Sequence, residues 1–335
     1  MDNQQYEEKV QEEYIDDTPK YAPEEPDPKL SEKELKEQEK RKRLMQKKRF
    51  KDRKDGRLLR SLDYVQKFTP YVMRERCDAL NMFTASINVS RADKFCREKQ
   101  QSGMTYFTIL HLILAAYTRT VAEHPAINRF VSGRRVYARR NIEVNMIVKK
   151  EMRKDAPETG VKAWFDPSDT VDDVYRKFND IVRKTVGDLG KENGMDKAAS
   201  FLTSLPRCIM NFIMFILRRM EYHGTLPKAL TDVSPFHGSL IITSMGSLGI
   251  PPIYHHIYNF GNLPIFIAYG LKQVVPVIDK NGETVPKKIV ELKITMDERI
   301  ASGYELSSAF KSLKHYLEHP ELLEVPPKEV VEDIY

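Results

Sequence analysis

The chain has 335 residues, of which 41% are hydrophobic and 30% charged, a balance typical of a soluble protein with one large domain or two small ones. Its acidic, polar first residues and its three widely spaced cysteines, Cys77, Cys96 and Cys208, argue against a secretory leader, a disulfide scaffold and a cysteine-based zinc site, so we expect a cytoplasmic protein. The net charge of +6 hides an asymmetry between an acidic and a basic segment at the start of the chain.

Residues 1–55 are predicted to form a disordered, charged arm. Residues 1–30 carry 10 acidic and 3 basic side chains, whereas residues 31–60 carry 6 acidic and 14 basic ones. With few apolar side chains, such a segment cannot bury a core. The basic run 31–54 is interpreted as a solvated arm or a contact for an acidic partner. The alternative is a nucleic-acid or membrane-surface binder. Nucleic acid is not the favoured partner, because no aromatic platform accompanies the run.

The globular domain is predicted over residues 56–325, followed by a tail at 326–335. In chain order, hydrophobic periodicity predicts a strand at 84–90, a buried helix at 106–123, a strand or short hairpin at 129–138, strands at 142–149 and 160–166, and an amphipathic helix at 170–186. Three extended stretches at 239–244, 264–271 and 288–296 precede a final helix at 304–318. This mixed order predicts an α/β (α+β) two-layer sandwich with a mixed sheet and flanking helices.

Residues 187–233 form an atypical helical segment. A helix pair is predicted over 197–220, split near Pro206, and its second half contains the apolar run Ile209–Leu217. That run is too short to span a bilayer. We favour a helix buried in the domain. The alternative is a surface helix at 205–220 that contacts a membrane interface or a protein partner, with Arg218 and Arg219 at headgroup level.

Common cofactor and hydrolase motifs are missing from the sequence, which has no G-x-G-x-x-G, P-loop or G-x-S-x-G. The adjacent pair His255-His256 would point to opposite faces of a strand, and no third ligand is evident. We therefore expect no metal site.

Several short motifs resemble one family. The segment Asp297-Glu-Arg-Ile-Ala-Ser-Gly303, before the final helix, is similar to the Asp-His-Arg-x-x-Asp/Asn-Gly signature of the 2-oxoacid dehydrogenase dihydrolipoyl acyltransferase catalytic domain, which shares its fold with chloramphenicol acetyltransferase. The strands at 241–249 and 263–270 and the segment Glu123–Asn128 also resemble that family, in the same order. The resemblance covers about residues 56–325 and implies a chloramphenicol acetyltransferase-like fold.

The resemblance also implies a chemistry. In the family, a histidine removes the proton from a thiol of coenzyme A or dihydrolipoamide, a strand hydroxyl donates to the oxyanion, and the site lies between subunits of a trimer. Glu298 occupies the histidine position, Thr243 the hydroxyl position with Ser244 next to it, and Ser302 the acidic or amide position before Gly303. Asp297 and Arg299 match flanking residues that hold the loop by ion pairing.

Two functions remain open from the sequence. The first is a homotrimeric acyltransferase that uses acyl-coenzyme A, with Thr243 at the oxyanion and Glu298 as an altered base, since a carboxylate is a poor base for a thiol unless burial raises its pKa. The second is an inactive scaffold or acyl-ligand binder of the same fold. His237 is either a satisfied strand histidine or, if Phe236 to Thr243 is one regular strand, a replacement imidazole on the same face as Thr243. No lipoyl domain is evident, so covalently bound lipoate is not expected.

Overall fold

The computed structural model describes residues 49–149, 158–187, 200–278 and 281–335. The described residues belong to one compact unit, Lys48–Tyr335. The arm predicted for residues 1–55 and its basic run 31–54 lie almost entirely outside the described residues.

The strands of the described residues are β1 (Gly56–Leu58), β2 (Leu80–Asn88), β3 (Arg129–Ser132), β4 (Arg135–Arg139), β5 (Ile142–Lys149), β6 (Glu158–Phe165), β7 (Leu240–Ser244), β8 (Ile265–Ile278) and β9 (Thr284–Asp297). The helices are α1 (Tyr64–Val72), α2 (Ser90–Gln101), α3 (Ile109–Glu123), α4 (Val171–Gly187), α5 (Arg207–His223), α6 (Lys228–Val233) and α7 (Gly303–Glu318). Short 3₁₀ turns, Pro125–Asn128 among them, connect several of these elements.

Six strands form one mixed sheet in the order β2-β9-β8-β7-β5-β6. Strand β7 runs parallel to both of its neighbours, β5 and β8, whereas the other pairs are antiparallel. A second, three-stranded sheet has the order β1-β4-β3. The predicted mixed α/β architecture with flanking helices is confirmed.

The two faces of the large sheet are covered differently. Alternate residues of the central strands, such as Ile242, Ile267 and Ile294, point into the main core, where α3 packs between α4 and α7. The side chains between them point to the opposite face, where Ile241 and Phe266 meet Ile257 of the connecting segment 250–263. A layer of helices therefore lies on one face, and an irregular segment lies on the other.

The buried helix α3 begins later than its apolar pattern indicates. The sequence predicts it from Tyr106, but α3 starts at Ile109, because the Thr108 side chain caps its first turn together with His111. The hairpin with a turn at Ser132-Gly133 and the strand 142–149 are observed as predicted.

The prediction that the apolar run Ile209–Leu217 is buried is wrong. Helix α5 begins after Pro206, as expected from the split, but Glu221 is its buried residue. Phe212 and Phe215 remain 63% and 67% exposed. Only a narrow stripe that includes Met210 and Leu217 is half-buried, and α5 packs mainly against β3. No element of the described residues therefore lies over the apolar side chains on its outer side.

Both ends of the described unit pack beyond the predicted limits of 56 and 325. On the N-terminal side, Arg53 is buried and binds Asp55 and Glu221. On the C-terminal side, Asp333 is buried against Arg129. The residues expected to form a tail are thus part of the ordered structure.

Candidate functional site

The loop between β9 and α7 carries the residues that resemble the acyltransferase signature. Asp297 is fully buried and pairs with Arg299 at 2.7 Å and with Arg76 at 3.3 Å. Arg299 also donates to the carbonyl of Met73 at 2.9 Å. An ionised carboxylate that is buried between two guanidinium groups is compensated, so this pair fixes the start of the loop.

Glu298 takes no part in that ion-pair cluster. Its backbone N–H donates to the carbonyl of Ala79 at 2.9 Å. Its side chain is half-buried, and among the described residues no group bonds to its carboxylate. The acidic group at the histidine position is therefore free to meet a ligand.

Ser302 has a structural role as the N-cap of α7. Its hydroxyl accepts from the backbone N–H of Glu305 at 3.3 Å, and the Glu305 carboxylate accepts from the Ser302 N–H at 2.8 Å. This reciprocal pair is a capping box, which satisfies the free N–H groups of the first helical turn. Gly303 follows as the first residue of the helix. The side chain before the glycine thus serves the helix.

Thr243 lies near the carboxyl end of β7, half-buried, on the face that the segment 250–263 partly covers. Among the described residues its hydroxyl has no hydrogen-bond partner. Ser244 points to the opposite face, and its hydroxyl accepts from the backbone of Ser247 at 3.3 Å. Of the two, Thr243 has the hydroxyl available to an oxyanion.

The strand register separates Thr243 from the loop at Glu298. Thr243 pairs with Ala268, and Ala268 pairs with Lys293. Asp297 lies about 13 Å further along β9 and two strand spacings away, so the Cα atoms of Thr243 and Asp297 are roughly 16 Å apart. Glu298 continues in the same direction. Within one chain these two residues do not share a site.

His237 does not lie beside Thr243. Strand β7 begins only at Leu240, and Gly238 has φ +145°, so the regular strand from Phe236 on which that position depended does not form. His237 is buried, 2.9 Å from the Glu221 carboxylate and 2.8 Å from the Ser234 hydroxyl. Its ring nitrogens are both occupied.

A polar row that was not predicted from the sequence crosses the sheet level with Thr243. The Lys293 ammonium donates to the Thr84 hydroxyl at 2.6 Å and lies 5.0 Å from the centre of the Tyr254 ring. Only Ala268 stands between Lys293 and Thr243 in this row. Alternation in β9 indicates the face of Lys293, but its neighbours depend on strand order, which the sequence does not give.

The two adjacent histidines lie in different environments. The ring of His255 stacks on Phe266 at 4.4 Å, while His256 is exposed. Within the described part of the chain, no group of three metal-ligating side chains comes together.

Comparison with known proteins agrees with the resemblance noted in the sequence. Residues 229–325 match the family described as 2-oxoacid dehydrogenases acyltransferase (catalytic domain). This range includes Thr243 and the whole loop from Asp297 to Gly303, so the predicted resemblance is confirmed there. No curated protein matches the chain.

Several solved structures are similar to this chain at low identity. A probable dihydrolipoamide acetyltransferase from Listeria monocytogenes 4b F2365 has a TM-score of 0.48 and 13% identity, covering 78% of this chain and 94% of that one. A dihydrolipoamide acetyltransferase from Azotobacter vinelandii has a TM-score of 0.47 and 13% identity, covering 73% of this chain and 83% of that one. A chloramphenicol acetyltransferase has a TM-score of 0.46 and 12% identity, covering 78% of this chain and 99% of that one.

Proposed function

Because residues 229–325 match an acyltransferase catalytic domain, we propose that this protein transfers an acyl group between coenzyme A and a thiol or another acceptor, in the cytoplasm. The observation that carries the proposal is that a hydroxyl on β7 and a carboxylate on a fixed loop are both available to a ligand. Thr243 and Glu298 match the family's positions for the oxyanion donor and the base, and among the described residues neither side chain has a hydrogen-bond partner.

The proposed reaction begins with attack of a thiol sulfur on the thioester carbonyl of the donor. The Thr243 hydroxyl donates to the oxyanion of the tetrahedral intermediate. The bond from carbon to the leaving sulfur then breaks, and the leaving thiolate takes up a proton. Glu298 accepts the proton of the attacking thiol and returns it to the leaving sulfur.

The carboxylate makes this a slow enzyme for thiols. An ordinary glutamic acid has a pKa of about 4.3 and a thiol about 8.5, so full proton transfer costs about 6 kcal/mol. A histidine at the same position would remove about half of that cost. Glu298 therefore suits an acceptor whose proton is released late, after the new bond has begun to form.

The proposed site lies between two copies of the chain. Within one chain, Thr243 is at one end of the central strands and Glu298 is beyond the other end, roughly 16 Å or more apart. A single substrate carbonyl cannot contact both. We propose that Thr243 of one copy faces Glu298 of the partner subunit, in a closed trimer that holds one site at each interface.

A second candidate function is that of an inactive scaffold or acyl-ligand binder. Two observations favour it: a carboxylate stands at the histidine position, and Ser302 is committed to capping α7. An acyl-coenzyme A molecule would then bind without turnover.

The test is acyl-coenzyme A turnover with thiol, amine and hydroxyl acceptors. We expect a measurable rate that falls at least 100-fold in Glu298→Gln and in Thr243→Ala, whereas Thr243→Ser retains most of it. Glu298→His is expected to raise the rate with thiols. The matched control is Glu98→Gln, which alters an exposed carboxylate of α2. Wild-type turnover equal to that of both variants, with acyl-coenzyme A still bound, would favour the scaffold.

Mixed oligomers test the shared site. Glu298→Gln chains keep Thr243, and Thr243→Ala chains keep Glu298. When the two are co-expressed in equal amounts, about one quarter of the interfaces of a closed ring combine the two intact residues. We expect about one quarter of the wild-type rate, whereas recovery no greater than that of the separate variants would contradict an intersubunit site.

A further inference from the structure

Helix α5 presents an apolar face that no described element covers. Ile209, Phe212, Phe215 and Ile216 are 45%, 63%, 67% and 39% exposed. Their spacing of three to four residues brings them to one side of the helix. Together they expose roughly 400 Å², taking about 200 Å² for a large apolar side chain, an area comparable to the largest apolar patch of a typical monomer, which is often functional. These four residues are called the α5 apolar face below.

The opposite side of α5 is firmly anchored. The buried Glu221 binds Arg53 at 3.3 Å and His237 at 2.9 Å, and Arg53 also donates to the Glu221 carbonyl at 2.9 Å. Close by, Gly133 of the β3–β4 turn lies directly against the carbonyl of Tyr222. The helix is therefore fixed with its apolar face directed away from the domain.

The charges of α5 are distributed for an anionic partner. Arg207 lies at its first residue, and Arg218 and Arg219 lie beyond the apolar face towards its end; all three are exposed. The helix contains a single carboxylate, Glu221, and that group is buried and paired. The exposed side of α5 thus combines apolar side chains with arginines and no acidic group.

A second copy of the same face is a poor occupant. Because arginines stand near both ends of α5, parallel and antiparallel pairing of two helices would each bring arginine next to arginine, with no exposed carboxylate of the helix to offset them. An anionic surface meets no such repulsion.

A second exposed helix borders the same turn. The Arg134 guanidinium, next to Gly133, lies 5.8 Å from the centre of the Tyr71 ring in α1. In α1, Tyr64 and Phe68 are 84% and 65% exposed. Apolar side chains of two helices therefore flank one basic turn.

We propose that the α5 apolar face binds the interfacial layer of an anionic lipid bilayer, with Phe212 and Phe215 among the acyl chains and Arg218 and Arg219 at the phosphate level. A helix of this kind lies in the plane of the membrane and buries its apolar side by 5–10 Å or so. None of the described helices has the length and apolarity to cross a bilayer. The proposal does not depend on acyl transfer.

The test is flotation of the full-length protein with vesicles of phosphatidylcholine alone and of phosphatidylcholine mixed equally with phosphatidylglycerol. We expect binding to the mixed vesicles and at least tenfold weaker binding of Phe212→Ser/Phe215→Ser. Arg218→Gln/Arg219→Gln should reduce binding to the mixed vesicles about 30-fold. The matched control is Val274→Ser/Ile278→Ser, which removes two exposed apolar side chains from β8 and should bind like wild type.

A tryptophan placed within the α5 apolar face tests whether this face itself contacts the lipid. In a Trp164→Phe background, which removes the single tryptophan, Phe212→Trp should show a blue shift of emission with mixed vesicles, and Val274→Trp should not. Equal binding of wild type and Phe212→Ser/Phe215→Ser would assign the lipid contact to another segment, such as residues 31–54, and overturn the proposal. A smaller oligomer of that variant in light scattering, without vesicles, would identify the face as a subunit contact and overturn it as well.

Discussion

The ion pair between Arg129 and Asp333 provides the sharpest test of how the C-terminal residues support the fold. Arg129 in β3 is 1% exposed. It donates to the two oxygens of Asp333 at 2.7 and 2.6 Å, and also to the carbonyl of Ile300 at 3.3 Å. A single guanidinium therefore joins the last residues of the chain to the loop that carries Glu298.

The substitution Asp333→Asn keeps the size of the side chain but leaves the charge of Arg129 buried. Breaking a buried ion pair costs about 3–5 kcal/mol, compared with about 0–1 kcal/mol for an exposed one. Arg129 keeps a contact with Glu305 at 3.1 Å, so we expect a loss near the lower limit, about 3 kcal/mol. With a urea m-value of about 3 kcal/mol/M, the unfolding midpoint falls by about 1 M.

Urea unfolding followed by circular dichroism measures this change. The matched control is Lys228→Gln, which breaks a pair with Asp232 in which the lysine is 74% exposed, and it should lower the free energy of unfolding by less than about 1 kcal/mol. The double variant Arg129→Met/Asp333→Leu should be more stable than Asp333→Asn, because it removes the buried guanidinium, and the carboxylate that loses this partner, Glu305, is 32% exposed. A loss for Asp333→Asn no larger than that of the control would refute the argument.

Three further predictions concern the cap, the turn and the pH dependence. Ser302→Ala should lower the free energy of unfolding by about 1 kcal/mol in chemical denaturation, whereas Ser302→Asp keeps a capping oxygen and should be near neutral. Gly133→Ala places a side chain at φ +55° against the carbonyl of Tyr222, so its thermal unfolding midpoint should fall further than that of Gly249→Ala, where φ is +72° and no neighbour lies within 4 Å. The pKa values of the Asp55 and Glu221 carboxyls are both lowered. Burial by itself would raise them, but the charge of Arg53 and, for Glu221, the hydrogen bond with His237 outweigh the effect of burial. The folded protein then binds fewer protons than the unfolded chain, so its free energy of unfolding should decrease as the pH falls below about 5. In the double variant Asp55→Asn/Glu221→Gln this decrease should be less steep. An equal slope of unfolding free energy against pH in both proteins would contradict the assignment to these two carboxyls.

Helices and strands with one buried face were predictable from the sequence, since burial of that face places apolar residues at the regular spacing of a helix or a strand. Strand β5 and the helix α4 are close to their predicted ranges. Strands β8 and β9 continue well beyond 264–271 and 288–296, because they pair with each other in a ribbon in which Val274 and Ile278 are exposed. Hydrogen bonds between two strands leave no hydrophobic signature of burial.

Two helices escaped prediction for different reasons. Helix α1 contains Pro70 and exposes most of its apolar residues, so neither its composition nor its pattern indicates a helix. Helix α2 is rich in charged residues, and only a short stripe with Phe95 and Cys96 is buried. In both cases tertiary contacts decide the structure.

For the candidate site, the sequence indicated residue types but not distances. The motif supplied Asp297, Glu298 and Arg299, and their positions on the β9–α7 loop are as expected. The second partner of Asp297, Arg76, comes from a distant part of the chain and has no motif. The separation of Thr243 from Glu298 follows from strand order and direction, since β7 is parallel to β8 and β9 is antiparallel to it.

In the β9–α7 loop, the residues that fix its shape are different from the residue proposed to transfer the proton. This difference determines how variants of Glu298 are to be interpreted. Its shape depends on the Asp297–Arg299 pair at one end and on the Ser302 cap at the other. Glu298 lies between them with a half-buried side chain that has no partner among the described residues. Substitutions at position 298 should therefore change the free energy of unfolding by no more than about 0.5 kcal/mol. A change of rate in Glu298→Gln or Glu298→His then reports on proton transfer, whereas the same loss in an Asp297 variant would report on the loop.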